Sequence, residues 1–154
     1  MKKLFAVLMT VVMLMGVTPM LCQRASALSE PMEMYIRIDG IEGESQNARH
    51  CKWIDVIDFR QELSKEDDYS SETKVTLTVS HYVDAATPRI ISNYQSGCRI
   101  RKVTFESTKY IGGAQTLVYS VNVENAVITS ETIATDANSQ LVETFTLTGT
   151  LVNG

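Results

Sequence analysis

The sequence has few of the residue types on which catalytic and metal sites depend. Two histidines, three cysteines and one tryptophan occur in 154 residues. Neither histidine belongs to a metalloprotease or nucleophile-elbow pattern, and no CxxC or HxxxH pair gives the ligand spacing of a zinc site. His50 and Cys51 are adjacent, and neighbours in an extended chain point in opposite directions, which disfavours a Cys–His dyad. We therefore expect a protein without enzymatic activity, metal or cofactor.

Acidic residues are more numerous, but their spacing does not form a recognisable site. Asp39, Glu42 and Glu44 share a glycine-containing loop. Their spacing differs from that of the twelve-residue EF-hand loop, and the terminal bidentate glutamate is missing. A solvated turn is therefore a better interpretation of this loop than a calcium site.

Long hydrophobic runs are scarce too, since only residues 1–27 contain one. This segment has two lysines after the initial methionine, an apolar run over 4–17, and Ala-Ser-Ala at 25–27. A secretory signal peptidase reads these features, so we predict export to the periplasm or the cell exterior with cleavage after Ala27. A retained membrane anchor is the alternative, but spanning a bilayer takes roughly 20 apolar residues. Cys22 follows Pro-Met-Leu instead of a small residue, so we assign it to the discarded peptide rather than to a lipid anchor.

Cleavage would leave residues 28–154 as one domain with its own hydrophobic core. The discarded segment carries three basic residues and no acids, so the net charge changes from −4 to −7. Such an acidic domain is a poor partner for nucleic acid, whose phosphates would repel it. Two thiols remain, Cys51 and Cys98, and an oxidising compartment favours a disulfide between them. Two buried free thiols are the alternative, and both interpretations stay open at this point.

Alternation of residue types predicts a mostly β domain. Val75, Leu77 and Val79 alternate with hydroxyl residues, which is the pattern of a half-buried strand. His81 is expected on the polar side of this strand. An exposed acidic loop is predicted over 62–71. The pattern predicts seven strands, at 32–38, 53–59, 74–83, 99–106, 115–124, 126–134 and 141–152.

One short helix is predicted between the third and fourth strands. Thr87 suits the N-cap, Pro88 the first helical position, and Gly97 the position just after the end. Gly112 and Gly113 predict a hairpin turn, because glycine supplies the positive φ that a tight reversal needs. Seven strands with one helix describe a small antiparallel β-barrel or sandwich.

Several segments of the chain resemble one protein family. They are MYIRIDGIEGES at 34–45 with IDVI at 54–57, YVDAATP at 82–88, and QLVETFTL at 140–147. In this order and spacing they resemble the Hcp family, the hemolysin-coregulated proteins that form the inner tube of type VI secretion systems. The resemblance implies a small β-barrel with one flanking helix, homohexameric rings that stack into a tube, and small effector proteins held in the lumen. It implies a structural role without catalysis.

The resemblance also indicates where copies and cargo would meet the chain. The strand that family members place on the lumen side corresponds here to Phe59, Arg60 and Gln61. The loop by which family rings contact their neighbours corresponds to the acidic loop, with Glu66, Asp67, Asp68 and Tyr69. The alternative function is an exported monomeric module that kept the barrel, lost ring stacking and binds a host or cell-wall target. An exported hydrolase has little support in the sequence.

Overall fold

The structure, a computed structural model, describes residues 31–65 and 71–152. The predicted leader with its cleavage site after Ala27 lies outside the described residues. So do the predicted ring-contact residues, Glu66, Asp67, Asp68 and Tyr69. The described elements are β1 (Glu33–Ile38), β2 (Ile54–Val56), β3 (Asp58–Ser64), β4 (Lys74–Tyr82), α1 (Thr87–Ser96), β5 (Ile100–Ile111), β6 (Ala114–Thr135) and β7 (Leu141–Val152).

The strands of the described chain form one antiparallel sheet in the order β2-β1-β5-β6-β7-β4-β3. The sheet curls into a half-barrel with one short helix beside it, which confirms the predicted fold class. Its two edge strands, β2 and β3, are separated along the chain by Ile57 alone, so the curl brings the two edges together. The Ile57 amide donates a hydrogen bond to the Ser80 carbonyl of β4 at 2.9 Å.

The core occupies the inner face of the curl, where side chains alternate in and out along each strand. Val75, Leu77 and Val79 of β4 are fully buried, and the latter two lie directly opposite Leu147 and Phe145 of β7. Burying an apolar side chain of this size stabilises the fold by about 1.5–3 kcal/mol. The alternation predicted for these two strands is therefore confirmed, and the core follows directly from it.

Helix α1 begins and ends close to the predicted positions, but its N-terminus is capped differently. Gly97 adopts a left-handed conformation with φ 60° after the last turn, as predicted. Thr87 is already helical, Ala86 precedes it as the cap residue, and no side chain caps the helix. The Thr87 hydroxyl instead accepts from the Asp84 amide and donates to the buried carboxylate of Glu143. In the described part of the chain, no helical segment combines the length and hydrophobicity of a membrane span.

The region around Ile57 differs from the prediction in two ways. The strand predicted over 53–59 is two strands, because the chain leaves one edge of the sheet at Ile57 and joins the other. The acidic loop was predicted to start at residue 62, and this start is too early. The strand β3 continues to Ser64, which pairs with Lys74 of β4.

The strands predicted at 115–124 and 126–134 are one strand, β6, of 22 residues. Its pairing with β7 shifts register between Glu124 and Val127, where Asn125 has a φ of 53°. Such bulges bend a strand without ending it, which explains how one long strand follows the curl. The predicted turn at Gly112 and Gly113 is confirmed, since both have positive φ.

Candidate functional site

His81 lies in the core, so its predicted place on the polar side of β4 is wrong. It continues the odd-numbered apolar face of that strand, and it is fully buried. Its Nε2 lies 2.8 Å from Oε2 of Glu143, which is also fully buried. The Thr87 hydroxyl donates to the same oxygen at 2.6 Å. We call His81, Glu143 and Thr87 the buried junction, because they tie β4, β7 and α1 together.

The geometry of the buried junction favours a structural role. In a nucleophilic triad the hydroxyl would donate to the imidazole, whereas here the hydroxyl and the imidazole both meet the carboxylate. Nδ1 of His81 and Oε1 of Glu143 have no hydrogen-bond partner among the described residues. The carboxyl of Asp84 lies 3.7 Å from that Nδ1, which is too far for a hydrogen bond.

His50 is also buried, at a second polar cluster. Its Nε2 lies 2.8 Å from Oε2 of Glu106, and its ring stacks on Tyr35 with centroids 4.1 Å apart. Trp53 meets the same ring edge-on at 4.9 Å. Burial, and next the hydrogen bond that Tyr35 donates to Glu33, raise the pKa of Tyr35 to about 12. Nothing in the sequence indicated this cluster, because its members come from separate elements.

Two of the three acids in the loop after β1, Asp39 and Glu42, engage basic side chains. Oδ2 of Asp39 accepts from Nε of Arg101 at 3.0 Å, and Glu42 accepts from Nζ of Lys52 at 3.0 Å. Within residues 31–65 and 71–152, no group of three potential ligands is placed to hold a metal ion.

The predicted disulfide is not present. Cys51 and Cys98 are free, and both are exposed, so the alternative of buried thiols is wrong as well. Asp39 and Gly40 border the surroundings of both cysteines. Cys51 lines a cleft with Arg89, whereas Cys98 lines a separate depression.

The three residues predicted for the lumen alternate across β3. Phe59 faces inward and stacks on Phe105 of β5, with centroids 3.6 Å apart and planes 8° apart. Gln61 accepts a hydrogen bond from the Tyr119 hydroxyl of β6. Both contacts reach across the open side of the half-barrel and help to close it. Arg60 points the other way, is exposed, and forms an ion pair with the next acidic residue on that face.

The outer edge of β3 is open. Within the described chain this strand pairs on one side only, with β4. An edge strand presents backbone N–H and C=O groups that another chain can pair with. Leu63, on this strand, is 57% exposed. The ion pair of Arg60 with Glu62, at 2.6 Å, places charge on the same edge.

A run of exposed apolar side chains lies on the hairpin at residues 109–119, which we call the outer hairpin. β1 pairs with β5 only as far as Thr108, so β1 does not cover this hairpin. The sequence predicted a strand over 115–124, but it could not show that β1 leaves this hairpin uncovered. The exposed apolar residues, each 42–60% exposed, are Tyr110, Ile111, Leu117, Val118 and Tyr119. Successive residues of a strand point to opposite faces, so these side chains leave apolar surface exposed on both faces of the hairpin, and exposed apolar surface of this extent favours an interaction with another protein surface.

The face of β4 and β7 that points away from the core carries hydroxyl groups, and we call it the hydroxyl face. Its side chains bond to one another across the two strands, at 2.8–3.2 Å. The pairs are Thr76–Thr148, Thr78–Thr146 and Ser80–Thr144. Arg60 lies on the same side of the sheet, since it is paired in register with Thr78. This surface is polar and uncharged at its centre, and its hydroxyl groups form hydrogen bonds with one another.

Comparison with known proteins agrees with this architecture. The family model described as type VI secretion system effector, Hcp, matches residues 35–150. Hcp1 from Salmonella typhimurium shares 22% identity at a TM-score of 0.65, over 75% of this chain and 80% of that one. A type VI secretion system effector from Yersinia pestis shares 26% identity at 0.59, over 74% and 81%. A structure described as a type six secretion system protein shares 20% identity at 0.66, over 76% and 78%. No curated protein matches the chain.

Proposed function

The chain belongs to the Hcp family of type VI secretion proteins, and on this premise we propose that it is a non-enzymatic structural protein that assembles into homohexameric rings. The observation that carries the proposal is the extent of the family match, which runs from β1 to β7. The buried junction supports the absence of catalysis, because its hydroxyl does not face its imidazole.

Two surfaces of the domain support assembly into a closed ring. A ring requires a heterologous contact, in which one surface of each copy meets a different surface of the next. The outer hairpin offers an exposed apolar patch, and the open edge of β3 offers unpaired backbone groups. In this proposal the two meet between neighbouring copies, and the loop containing Glu66, Asp67, Asp68 and Tyr69 contacts the next ring in a stack.

The hydroxyl face is suited to line a lumen through which small effector proteins pass. Hydroxyl groups that already bond to each other offer little to a passing chain, so adhesion to cargo would be weak. Of the residues first predicted for the lumen, Arg60 shares this face, whereas the rings of Phe59 and Phe105 stack against each other. Arg60 is therefore the lumen residue of the three in this proposal.

We also propose that residues 1–27 are a cleaved leader and that residues 28–154 form the exported domain. The mass of the protein recovered outside the cytoplasm tests this directly. A mature chain that begins at Leu28 is expected, and a retained leader would contradict the cleavage site.

Native mass spectrometry and negative-stain microscopy of the exported protein test the ring. A particle of six times the protomer mass with an annular outline is expected. A protein that remains monomeric at the highest soluble concentration would overturn the ring and leave the alternative, an exported binding module with the same fold.

A further inference from the structure

We propose that, before cleavage, the apolar run of the leader covers the outer hairpin of the same chain and so prevents assembly into a ring. The inference rests on the proposed ring and on the proposed cleavage, and it adds a contact that neither of them requires. The segment that covers the hairpin is residues 4–17, LFAVLMTVVMLMGV. The surface that it covers is one that the described domain leaves exposed.

The first observation is that the hairpin and the run match in chemical character. Five apolar side chains of the hairpin are 42–60% exposed, and water disfavours apolar surface of this extent. The run carries no charge, and Thr10 is its only side chain that forms hydrogen bonds. Contact between the two removes apolar area of both from water.

The second observation is the place at which the chain enters the domain. Glu33, the first residue of β1, lies opposite Thr108 of β5 in an antiparallel pair. The part of β5 that β1 leaves uncovered begins at the next residue, Lys109, and leads to the tip of the hairpin. In an antiparallel pair the residues before Glu33 therefore lie on the side of the uncovered part. The chain enters the domain at the base of the outer hairpin.

Hydrogen bonds hold this entry point against the hairpin. The side-chain amide of Gln115, which belongs to the hairpin, donates to Oε2 of Glu33 at 3.1 Å and to the Thr108 hydroxyl at 3.1 Å. The Tyr35 hydroxyl donates to the same oxygen of Glu33 at 2.9 Å. Whatever precedes Glu33 therefore starts from a fixed position beside the hairpin.

The length of the intervening chain allows the contact. Residues 18–32 connect the apolar run to β1, and a chain of that length spans up to about 50 Å. The uncovered stretch from Thr108 to Ile111 is about 10 Å long. The run can therefore reach every part of the outer hairpin.

The leader and a neighbouring copy would compete for the same surface. A segment of the same chain meets the hairpin at an effective concentration on the order of millimolar, whereas another copy meets it only at the concentration of the protein. The attached leader therefore has the advantage until cleavage after Ala27 releases it. In this proposal the ring forms only after cleavage, outside the compartment in which the chain is made.

Native mass spectrometry of the cleaved and uncleaved chains tests the block. Ala27→Phe keeps the leader attached, because the signal peptidase needs a small residue before the cleavage site. At equal concentration, the uncleaved variant should be a monomer and the parent recovered after cleavage a hexamer. An uncleaved chain that forms the hexamer as readily as the cleaved chain would overturn the inference and leave the ring intact.

Matched charge substitutions test whether the apolar run makes the contact. In the uncleaved chain, Leu8→Glu with Met13→Glu places two charges within the run and should restore the hexamer. Thr18→Glu with Gln23→Glu places the same charges outside the run and should leave the chain monomeric. A monomer from the first pair, or a hexamer from the second, would contradict a contact made by the run.

Hydrogen exchange separates this inference from the ring, because it is measured on chains diluted until both are monomers. Peptides over 109–119 should exchange about tenfold more slowly in the uncleaved chain, since a docked segment must leave before the amides beneath it exchange. Peptides over 74–82 are the control and should exchange equally in both chains. Equal exchange over the hairpin would overturn the inference. A protected hairpin in a protein that is monomeric even after cleavage would overturn the ring and support the leader contact.

Discussion

The buried junction and the outer hairpin lie on the same sheet but place their side chains in opposite environments. At the buried junction, polar groups are removed from solvent and satisfied mainly by one another, as in the carboxylate of Glu143 that serves both His81 and Thr87. On the outer hairpin, apolar side chains such as Leu117 and Ile111 are more than half exposed.

The difference separates stability from assembly. A buried polar network loses several contacts when one member is removed, so the folded state depends on it. An exposed apolar side chain contributes little to the folded state, and it keeps its apolar area available for a partner. Substitutions in the two regions should therefore change different measured quantities.

Glu143→Ala should cause the largest loss of stability. It leaves the His81 imidazole and the Thr87 hydroxyl buried without their acceptor, and removing one member of a buried pair costs about 3–5 kcal/mol. Urea unfolding followed by circular dichroism measures the change. Glu124→Ala, at an exposed position on β6, is the matched control and should stay within about 0.5 kcal/mol of the parent.

A double substitution tests whether the loss of stability comes from leaving a buried partner without its hydrogen bond. His81→Leu combined with Glu143→Leu removes both partners, so it should cost less than the sum of the single changes. Additive losses would show that the two side chains act independently and do not form one network.

The core strands could be predicted from the sequence, but the exposure of the outer hairpin and the polar cluster around His50 could not. Alternation in β4 and β7 located the core correctly, because a half-buried strand needs no knowledge of its neighbours. The same alternation puts His81 on the buried face with Val79, so the prediction of a polar position was wrong. By contrast, Leu117 fits the apolar pattern of β6 yet is exposed, because β1 pairs with β5 only as far as Thr108 and leaves the outer hairpin uncovered. The cluster around His50 joins separate elements, so no local pattern could reveal it.

Gly149→Ala tests how closely β7 packs against β6 on the core side of the sheet. An added Cβ would lie 2.6 Å from a methyl carbon of Val123 and 2.7 Å from the carbonyl oxygen of Glu124. The carbonyl belongs to the backbone of β6 and cannot move aside, so we expect a loss of about 1–3 kcal/mol in the free energy of unfolding. Thr150→Ala, the next residue, should lose less than about 1 kcal/mol, and an equal loss would show that steric overlap is not the cause.

Alkaline pH tests the base of the outer hairpin, where Tyr35 donates to Glu33 at 2.9 Å and Gln115 donates to the same carboxylate at 3.1 Å. The fold raises the pKa of Tyr35 from 10.0 to about 12, so it favours the neutral phenol. This contribution to stability is full below pH 10 and is lost as the pH rises to about 12. The difference in unfolding free energy between the parent and Tyr35→Phe should shrink over that interval. A difference independent of pH would contradict the assignment.

Leu117→Thr with Val118→Thr should have the smallest effect on stability and a decisive effect on assembly. Both residues are about half exposed, and threonine keeps the β propensity of the strand, so unfolding should change by no more than about 0.5 kcal/mol. The exposed apolar area of the outer hairpin is reduced, however, and native mass spectrometry should show loss of the ring in favour of monomer. Leu141→Thr is the matched control, because Leu141 is 53% exposed on a different hairpin and should leave the ring intact. A ring that survives the double substitution would place the contact between copies elsewhere on the sheet, and the outer hairpin would then be exposed for another reason.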